Sequence, residues 1–325
     1  MKLPQFSALI LASLTLFAFS SSSAETKPAD KKCKAQKEFA IILHGGTARA
    51  GKVPAERLDF MRNLLADMKK NLKQGDSALD VVEASVMAME DSGLFNAGKA
   101  AVNNAAGFVE TDAAIMDGKT QNTGAVASMR FVKNPIRAAR LVMDKTRHVM
   151  MVGDRGEQAV TNIGAQTVKA DYFINNPHNE PNEHGTVGAA VLDRCGNLAA
   201  GTSTGGYDAK IPGRVGDSPV IGAGTFAKNG VVAASATGHG EYFIRFNATA
   251  SIAARMEYGD MDVSAATKAV IDQMAKAGGK KNGRGGIIAV DSQGNFAYPF
   301  STPGMVRGFA RYDMDPQVGV FEEMN

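Results

Sequence analysis

Apolar residues along this chain recur with two periods that alternate from one stretch to the next. Residues 38–43, EFAIIL, form a short apolar run that ends in His44-Gly45-Gly46, the pattern of a buried strand. Over 55–75 the period lengthens. Leu58, Met61, Leu64, Leu65 and Met68 share one face of a helix, and Gly75 stops it. A second helix over 76–93 takes Asp76 or Ser77 as its cap and ends at Gly93. Gly- and Asn-rich sequence follows, then strands near 108–116 and 122–129 and helices near 134–148 and 154–170. From about 172 to 185 the periodicity disappears. The text INNPHNEPNEHG, rich in Asn, Pro and Glu, is that of an exposed linker. Alternation then returns, with strands near 187–192, 197–202 and 231–235 and helices near 241–258 and 262–277. The hairpin GGIIAVDSQGNFAYPF turns at 292–295. Helices come in consecutive pairs and strands in hairpins, which is not the regular β-α-β-α of a doubly wound sheet. The pattern predicts an α+β fold with two antiparallel sheets between helical layers.

The first 24 residues change the picture at one end. Lys2, the apolar run 8–18 and the small residues Ser22 and Ala24 have the layout of a secretory signal peptide. The run is too short to span a bilayer comfortably. Cleavage is expected after Ala24, leaving an exported, periplasmic or secreted, protein with no membrane segment. No lipobox leads to Cys33. The formal charge is only +3, and no basic tract with interleaved aromatics occurs, so a nucleic-acid partner is not expected. The two cysteines, Cys33 and Cys195, have no CxxC spacing and are expected to be free or incidental thiols rather than a zinc site, although export makes a disulfide between them chemically possible.

Three motif readings lack their context. GTSTG (201–205) matches the serine nucleophile elbow, but turn-formers and Pro212 follow it where the elbow needs a helix. No phosphate-binding glycine loop is present, and His44, His148, His178, His184 and His239 show no metal-ligand spacing. Thr186 remains, standing where the linker meets a strand. A threonine hydroxyl becomes a useful nucleophile when cutting the chain before it frees its own α-amine as base. That amine has a reference pKa of about 7.7–8.0. Gly185 leaves the bond before Thr186 uncrowded. A threonine that simply opens a strand has the same local sequence.

Longer motifs bear on the choice. HGTVGAAVLDRCGNLAAGTSTGG (184–206) followed by KIPGRVGDSPVIGAGTFA (210–227) resembles the plant-type L-asparaginase and isoaspartyl peptidase family of N-terminal nucleophile hydrolases. HGG (44–46), LFNAG (94–98), ETDAAIMDG (110–118), GAVA (124–127), NPIRAARLVM (134–143), ATGHGE (236–241), GGIIAVD (285–291) and STPGMVRG (301–308) fall in the family's order, so the resemblance covers about 38–310. It differs at Thr47-Ala48-Arg49 after HGG, at Lys99 after FNAG and at Ser301 before TPGM.

The resemblance implies an αββα sandwich in one domain and a precursor that cuts itself between Gly185 and Thr186. It implies an α subunit over 25–185, a β subunit over 186–325 and an (αβ)2 heterotetramer. Thr186 matches the nucleophile and Thr204 the hydroxyl that supports it; Ser203 does not attack. Thr237 and the amide of Gly238 match the oxyanion donors. Arg214 and Asp217 match the clamp on a substrate's α-carboxylate and α-ammonium, a pairing that suits a guanidinium fork and a carboxylate. Gly240 matches a backbone contact to the substrate amine, and Asn96 a residue beside the cut. No cofactor is needed for the chemistry. A structural sodium is implied on backbone carbonyls near Glu90, Phe95 and Ala97. The substrate implied is asparagine or a β-aspartyl dipeptide. Gly185 and Gly205-Gly206 favour this branch over the related glycosylasparaginases, the alternative enzyme; a non-catalytic exported amino-acid-binding protein is the alternative of another class.

Overall fold

Alternation along the strands builds three apolar layers. In β1 (Ala40–Ala48), Ile41 and Leu43 face one side while Ala40 and Ile42 face the other, and both sides are buried. The computed structural model describes residues 38–48, 51, 53–174, 185–279 and 282–321, all within one unit, Lys34–Asn325. The signal-like segment, Cys33 and residues 175–184 of the linker lie outside the described residues.

The larger sheet also contains β2 (Thr111–Asp117), β3 (Thr123–Met129), β4 (Met150–Val152), β5 (Val187–Leu192), β6 (Leu198–Thr204), β11 (Gly304–Arg311) and β12 (Met314–Gly319), in the order β12-β11-β1-β5-β6-β2-β3-β4. A smaller sheet is formed by β7 (Thr225–Lys228), β8 (Val232–Gly238), β9 (Gly285–Asp291) and β10 (Phe296–Ala297), in the order β10-β9-β8-β7. Helices α1 (Ala55–Gln74), α2 (Ala78–Ser92) and α3 (Pro135–Lys145) cover the outer face of the large sheet. Met61, Leu65, Val82, Met89 and Ile136 pack there against Ile41, Leu43, Ile115 and Val191. On the small sheet, α6 (Ala248–Gly259) and α7 (Val263–Gly278) place Ile252, Val270 and Met274 against Ala234, Ala236 and Ile287. Between the sheets lie Ile42, Leu192, Leu198, Ile288 and Val290, with Ala40, Ala190, Ala200, Ala227 and Ala233. So many alanines let the two sheets approach closely. Helices, two sheets and helices in this order are the expected α+β sandwich.

Capping follows the sequence at α2. Ser77 Oγ accepts from the backbone N–H of Asp80, and Gly93 ends the helix in the left-handed region at φ 71°. Several expected elements change. The helix expected over 241–258 is two, α5 (Gly240–Arg245) and α6, because Asn247 adopts φ 45° between them. The stretches expected over 134–148 and 154–170 shorten to α3 and α4 (Gly153–Asn162). Between them β4 pairs parallel with β3, so the large sheet is not wholly antiparallel. Strands β7, β11 and β12 were not expected. Gly304, Gly308 and Arg307 interrupt the apolar pattern of β11, and β12 is an edge strand that tolerates Pro316. The expectation of two free thiols is corrected at Cys195, which is disulfide-bonded.

Candidate active site

The inter-sheet layer turns polar at one end. On β6, Leu198 and Ala200 face the small sheet, so the period of two turns Thr202 and Thr204 the same way and Ser203 the opposite way. The same count along β5 puts Thr186, one residue before the strand, on the side of Ala190 and Leu192. From β8, Ser235 and Thr237 join on the side of Ala233. All of these hydroxyls are buried.

Thr186 Oγ1 donates to Thr204 Oγ1 at 3.0 Å. Thr204 Oγ1 also accepts from Gly206 N at 2.9 Å, which fixes its position. Asn96 lies alongside. Its Nδ2 donates to Gly206 O at 2.6 Å, its Oδ1 accepts from Val102 N at 3.0 Å, and its carbonyl accepts from Gly205 N at 3.1 Å. A Cβ at Gly185 would stand 2.7 Å from Asn96 Cβ. Glycine before Thr186 is thus what lets the chain pass over Asn96.

Ser203 goes elsewhere. Its Oγ donates at 2.6 Å to Oε1 of Glu90, which also accepts from Ile136 N at 3.0 Å. Burial pushes the Glu90 carboxyl up to about 8, so it is mostly protonated at neutral pH. Ser203 and Glu90 belong to the helix–sheet contact, on the far face of the strand from Thr186.

Thr237 is fully buried near the end of β8. Gly238 follows at φ 140°, where a Cβ would stand 2.5 Å from Arg284 O, so only glycine fits. Two residues on, Gly240 passes Asp217 and Arg214 so closely that a Cβ would stand 2.8 Å from Asp217 Oδ1 and 2.9 Å from Arg214 Nη2. The expected oxyanion donors and the expected clamp are therefore joined by one short turn.

Arg214 and Asp217 do not pair with each other. The Arg214 fork donates through Nε and Nη2 to Glu241 Oε1 and Oε2, both at 3.0 Å, and its guanidinium carbon lies 4.5 Å from the centre of the Tyr207 ring. The Arg214 charge and hydrogen bonds hold Glu241 below the usual carboxylate range despite its partial burial. Asp217 is only 5% exposed, and its Oδ2 has no hydrogen-bond partner among the described residues. Burial pushes its carboxyl up to about 7, against the lowering effects of its own backbone amide and Arg214. A buried carboxylate with an unused oxygen beside a guanidinium has the chemistry to accept a cation whose anionic half lies on the arginine.

The loop carrying the pair is tied down from β2 and the residues before it. Glu110 accepts from Gly213 N at 3.0 Å, Asp112 accepts from Gly216 N at 3.4 Å, and Lys210 Nζ donates to the Glu110 carbonyl at 2.7 Å. Glu241, Glu110, Asp112 and Lys210 were not singled out in the sequence. The available signal was charge inside otherwise apolar or glycine-rich text, as in ETDAAIM and KIPGRVGD.

Among the described residues no group of three His, Cys, Asp or Glu could hold a metal. The loop after α2 offers neutral carbonyls instead. A Cβ at Gly98 would stand 2.8 Å from the Glu90 carbonyl, so the loop folds back tightly over the helix end, where carbonyls lack intrahelical donors. Such donors suit a monovalent cation.

A family model described as Asparaginase matches residues 37–180 and 174–320. An isoaspartyl peptidase of Salmonella typhimurium is 42% identical over 311 residues, covering 87% of this chain and 98% of the relative. The isoaspartyl peptidase of Escherichia coli is 41% identical, covering 87% and 96%. A plant-type L-asparaginase of Pyrobaculum calidifontis is 37% identical, covering 83% and 96%. The layered fold is that of the N-terminal nucleophile hydrolases. Within that class, the chain belongs to the asparaginase family of amidohydrolases.

Proposed function

We propose that the chain is an exported precursor that cuts itself between Gly185 and Thr186 and then hydrolyses β-aspartyl amides, either L-asparagine or β-aspartyl dipeptides. The observation that most supports this reading is the buried pair Thr186 Oγ1 and Thr204 Oγ1, 3.0 Å apart, directly after a glycine at the end of the linker. Thr186 Oγ1 first attacks the Gly185 carbonyl. An N-to-O acyl shift breaks the Gly185–Thr186 amide, freeing the Thr186 α-amine and leaving an ester on Oγ1; water opens the ester to the Gly185 carboxylate and the free Thr186 hydroxyl. In turnover that amine takes the proton from Oγ1 as Oγ1 attacks the substrate's side-chain carbonyl. Thr237 and the Gly238 amide donate to the oxyanion. Ammonia or an amino acid leaves, and water resolves the β-aspartyl ester. Arg214 binds the α-carboxylate while Asp217 and Gly240 bind the α-ammonium.

The α and β chains formed by the cut stay together through the shared large sheet and pair further as (αβ)2. A structural sodium would rest on carbonyls of Glu90, Phe95 and Ala97; it supplies no step of the reaction and secures the loop beside Asn96. The family match begins at residue 37, which fits a signal segment ahead of the folded domain. Incubating the purified protein with L-asparagine and, separately, with β-aspartyl dipeptides tests the reading. Release of ammonia or of the second amino acid is expected, and neither product would refute it.

The pH profile follows from the clamp. Asp217 binds an ammonium only when ionised, and burial holds its carboxyl up at about 7. The Thr186 α-amine must be neutral, with a reference value of about 7.7–8.0. Both conditions are met more fully as pH rises. Thus kcat/KM is expected to climb from about pH 6 to about pH 8; a flat profile measured from pH 5.5 to 9 would contradict these roles.

A further inference from the structure

Thr186 is held at a second point that the reaction scheme above does not use. His44 Nδ1 lies 3.0 Å from the Thr186 carbonyl oxygen, and His44 Nε2 lies 2.9 Å from Ser235 Oγ. Ser235 Oγ lies 2.6 Å from Thr202 Oγ1, which lies 2.6 Å from Thr225 Oγ1. His44, Ser235, Thr202 and Thr225 are all fully buried.

The protons in this line can be placed by elimination. A carbonyl oxygen only accepts, so His44 Nδ1 carries the hydrogen. Burial holds the imidazole down to about 3, so it is neutral and Nε2 must accept. Its donor is Ser235. With that hydrogen committed, Thr202 donates to Ser235, and Thr225 in turn donates to Thr202. The order runs Thr225 to Thr202 to Ser235 to His44 to the Thr186 carbonyl. The longer contacts, Thr202 to Gly224 O at 3.2 Å and Thr225 to Ser218 O at 3.1 Å, lose to the shorter ones.

Gly188 makes room for the line. It pairs with His44 across β1 and β5, and a Cβ there would fall on Ser235 Oγ and His44 Nε2. A glycine inside a strand has no packing value of its own, and here it leaves the space the imidazole and hydroxyl occupy.

We infer that His44, with its tautomer set by Ser235 and Thr202, is a positioning residue for Thr186. The inference rests on Thr186 being the nucleophile. Thr186 lies one residue ahead of β5, so strand pairing alone does not orient it. Thr204 fixes its hydroxyl and His44 fixes its carbonyl. Two anchors on one residue set the direction from which Oγ1 attacks, both on Gly185 during cutting and on substrate afterwards. Small losses of alignment cost large factors in rate. Residues contributed from β1, β6, β7 and β8 thus converge on a threonine of β5's leading edge.

The test uses Ser235→Ala and Thr202→Val, which keep volume nearly constant, rather than substitutions of the buried His44. Both are expressed as full precursors. Ser235→Ala is expected to slow self-cleavage and to lower kcat by at least about tenfold, with KM within about twofold of wild type. Thr202→Val, which leaves the Ser235–His44 bond in place, is expected to lower kcat by less. In 15N-histidine NMR spectra of the wild type, His44 is expected as the neutral tautomer with hydrogen on Nδ1 from pH 5 to 8. Ser235→Ala with kcat and cleavage rate within twofold of wild type overturns the inference. So does an effect confined to KM, or a His44 tautomer with hydrogen on Nε2. A wild type that neither cuts nor hydrolyses would sink the nucleophile reading itself, whereas an active wild type with an indifferent Ser235→Ala sinks only the positioning role.

Discussion

Thr186→Ala leaves the precursor uncut and abolishes hydrolysis. The expected loss in kcat is at least about 10^4-fold, the scale on which removing a nucleophile acts in other hydrolases. The substitution removes only Oγ1 and Cγ2, at a residue one position ahead of β5, so the variant is expected to fold and the loss is chemical. Ser203→Ala is the matched control one strand face away. It removes a hydroxyl that donates to Glu90 on the helix side, and both cutting and turnover stay within a few-fold of wild type. Gel analysis of maturation, with ammonia release measured for each variant, separates the two. Equal effects from both substitutions would mean that strand alternation has been misassigned or that Thr186 is not the nucleophile.

Asp217→Asn gives the second large effect, and it has two signs. Substrate binding loses the charge opposite the α-ammonium, so kcat/KM falls by about 100-fold or more, chiefly through KM. Stability moves the other way at alkaline pH. The Asp217 carboxyl titrates at about 7 in the folded protein against an ordinary value of 3.8, so the native state holds its proton more tightly than the unfolded chain. That contribution to stability is complete below 3.8 and is lost as pH rises through about 7. At pH 8 the native protein carries a buried bare carboxylate whose Oδ2 has no partner among the described residues. Asparagine removes that charge. The expected gain at pH 8 is on the order of 2 kcal/mol, a few degrees in Tm, and it vanishes by about pH 4. Thermal unfolding at both pH values, beside steady-state kinetics, checks both signs. Unchanged kcat/KM would remove Asp217 from the clamp.

The fold was legible where one period ran uninterrupted. EFAIIL, the α1 stripe and the 285–291 strand each carry a single period, and each became the expected element. Legibility failed where tertiary pairing overrode local text. Strand β12 contains Asp315, Pro316 and Gln317 and exists because β11 offers an edge. The break at Asn247 depends on a left-handed residue that helical periodicity does not reveal. The first strand also runs further than its apolar residues. The ladder skips register between His44 and Thr47, so the HGG at which the strand was expected to end is a bulge inside β1.

The site divides in the same way. Thr186, Thr204, Arg214 and Asp217 came from ordered motifs that resemble a family, and local sequence alone left Thr186 indistinguishable from a strand opening. The resemblance already set Thr204 apart from Ser203 in GTSTG; the face of β6 supplies the physical reason, since its threonines look between the sheets and its serine looks at α2. Glu241 was quoted within a motif and given no role, yet it grips both donors of the Arg214 fork. His44 and Ser235 are 191 residues apart and meet only because the two sheets stack. No spacing rule carries such a pairing; a glycine at 188, within an otherwise apolar strand, was its one trace in the sequence.

The central claim is that one chain becomes two at Gly185–Thr186. Electrophoresis of the purified protein under reducing conditions, with N-terminal sequencing of every band, tests it most directly. The account predicts two chains, the smaller opening with Thr-Val-Gly-Ala-Ala. A single chain that stays uncut on prolonged incubation while still hydrolysing substrate would contradict it.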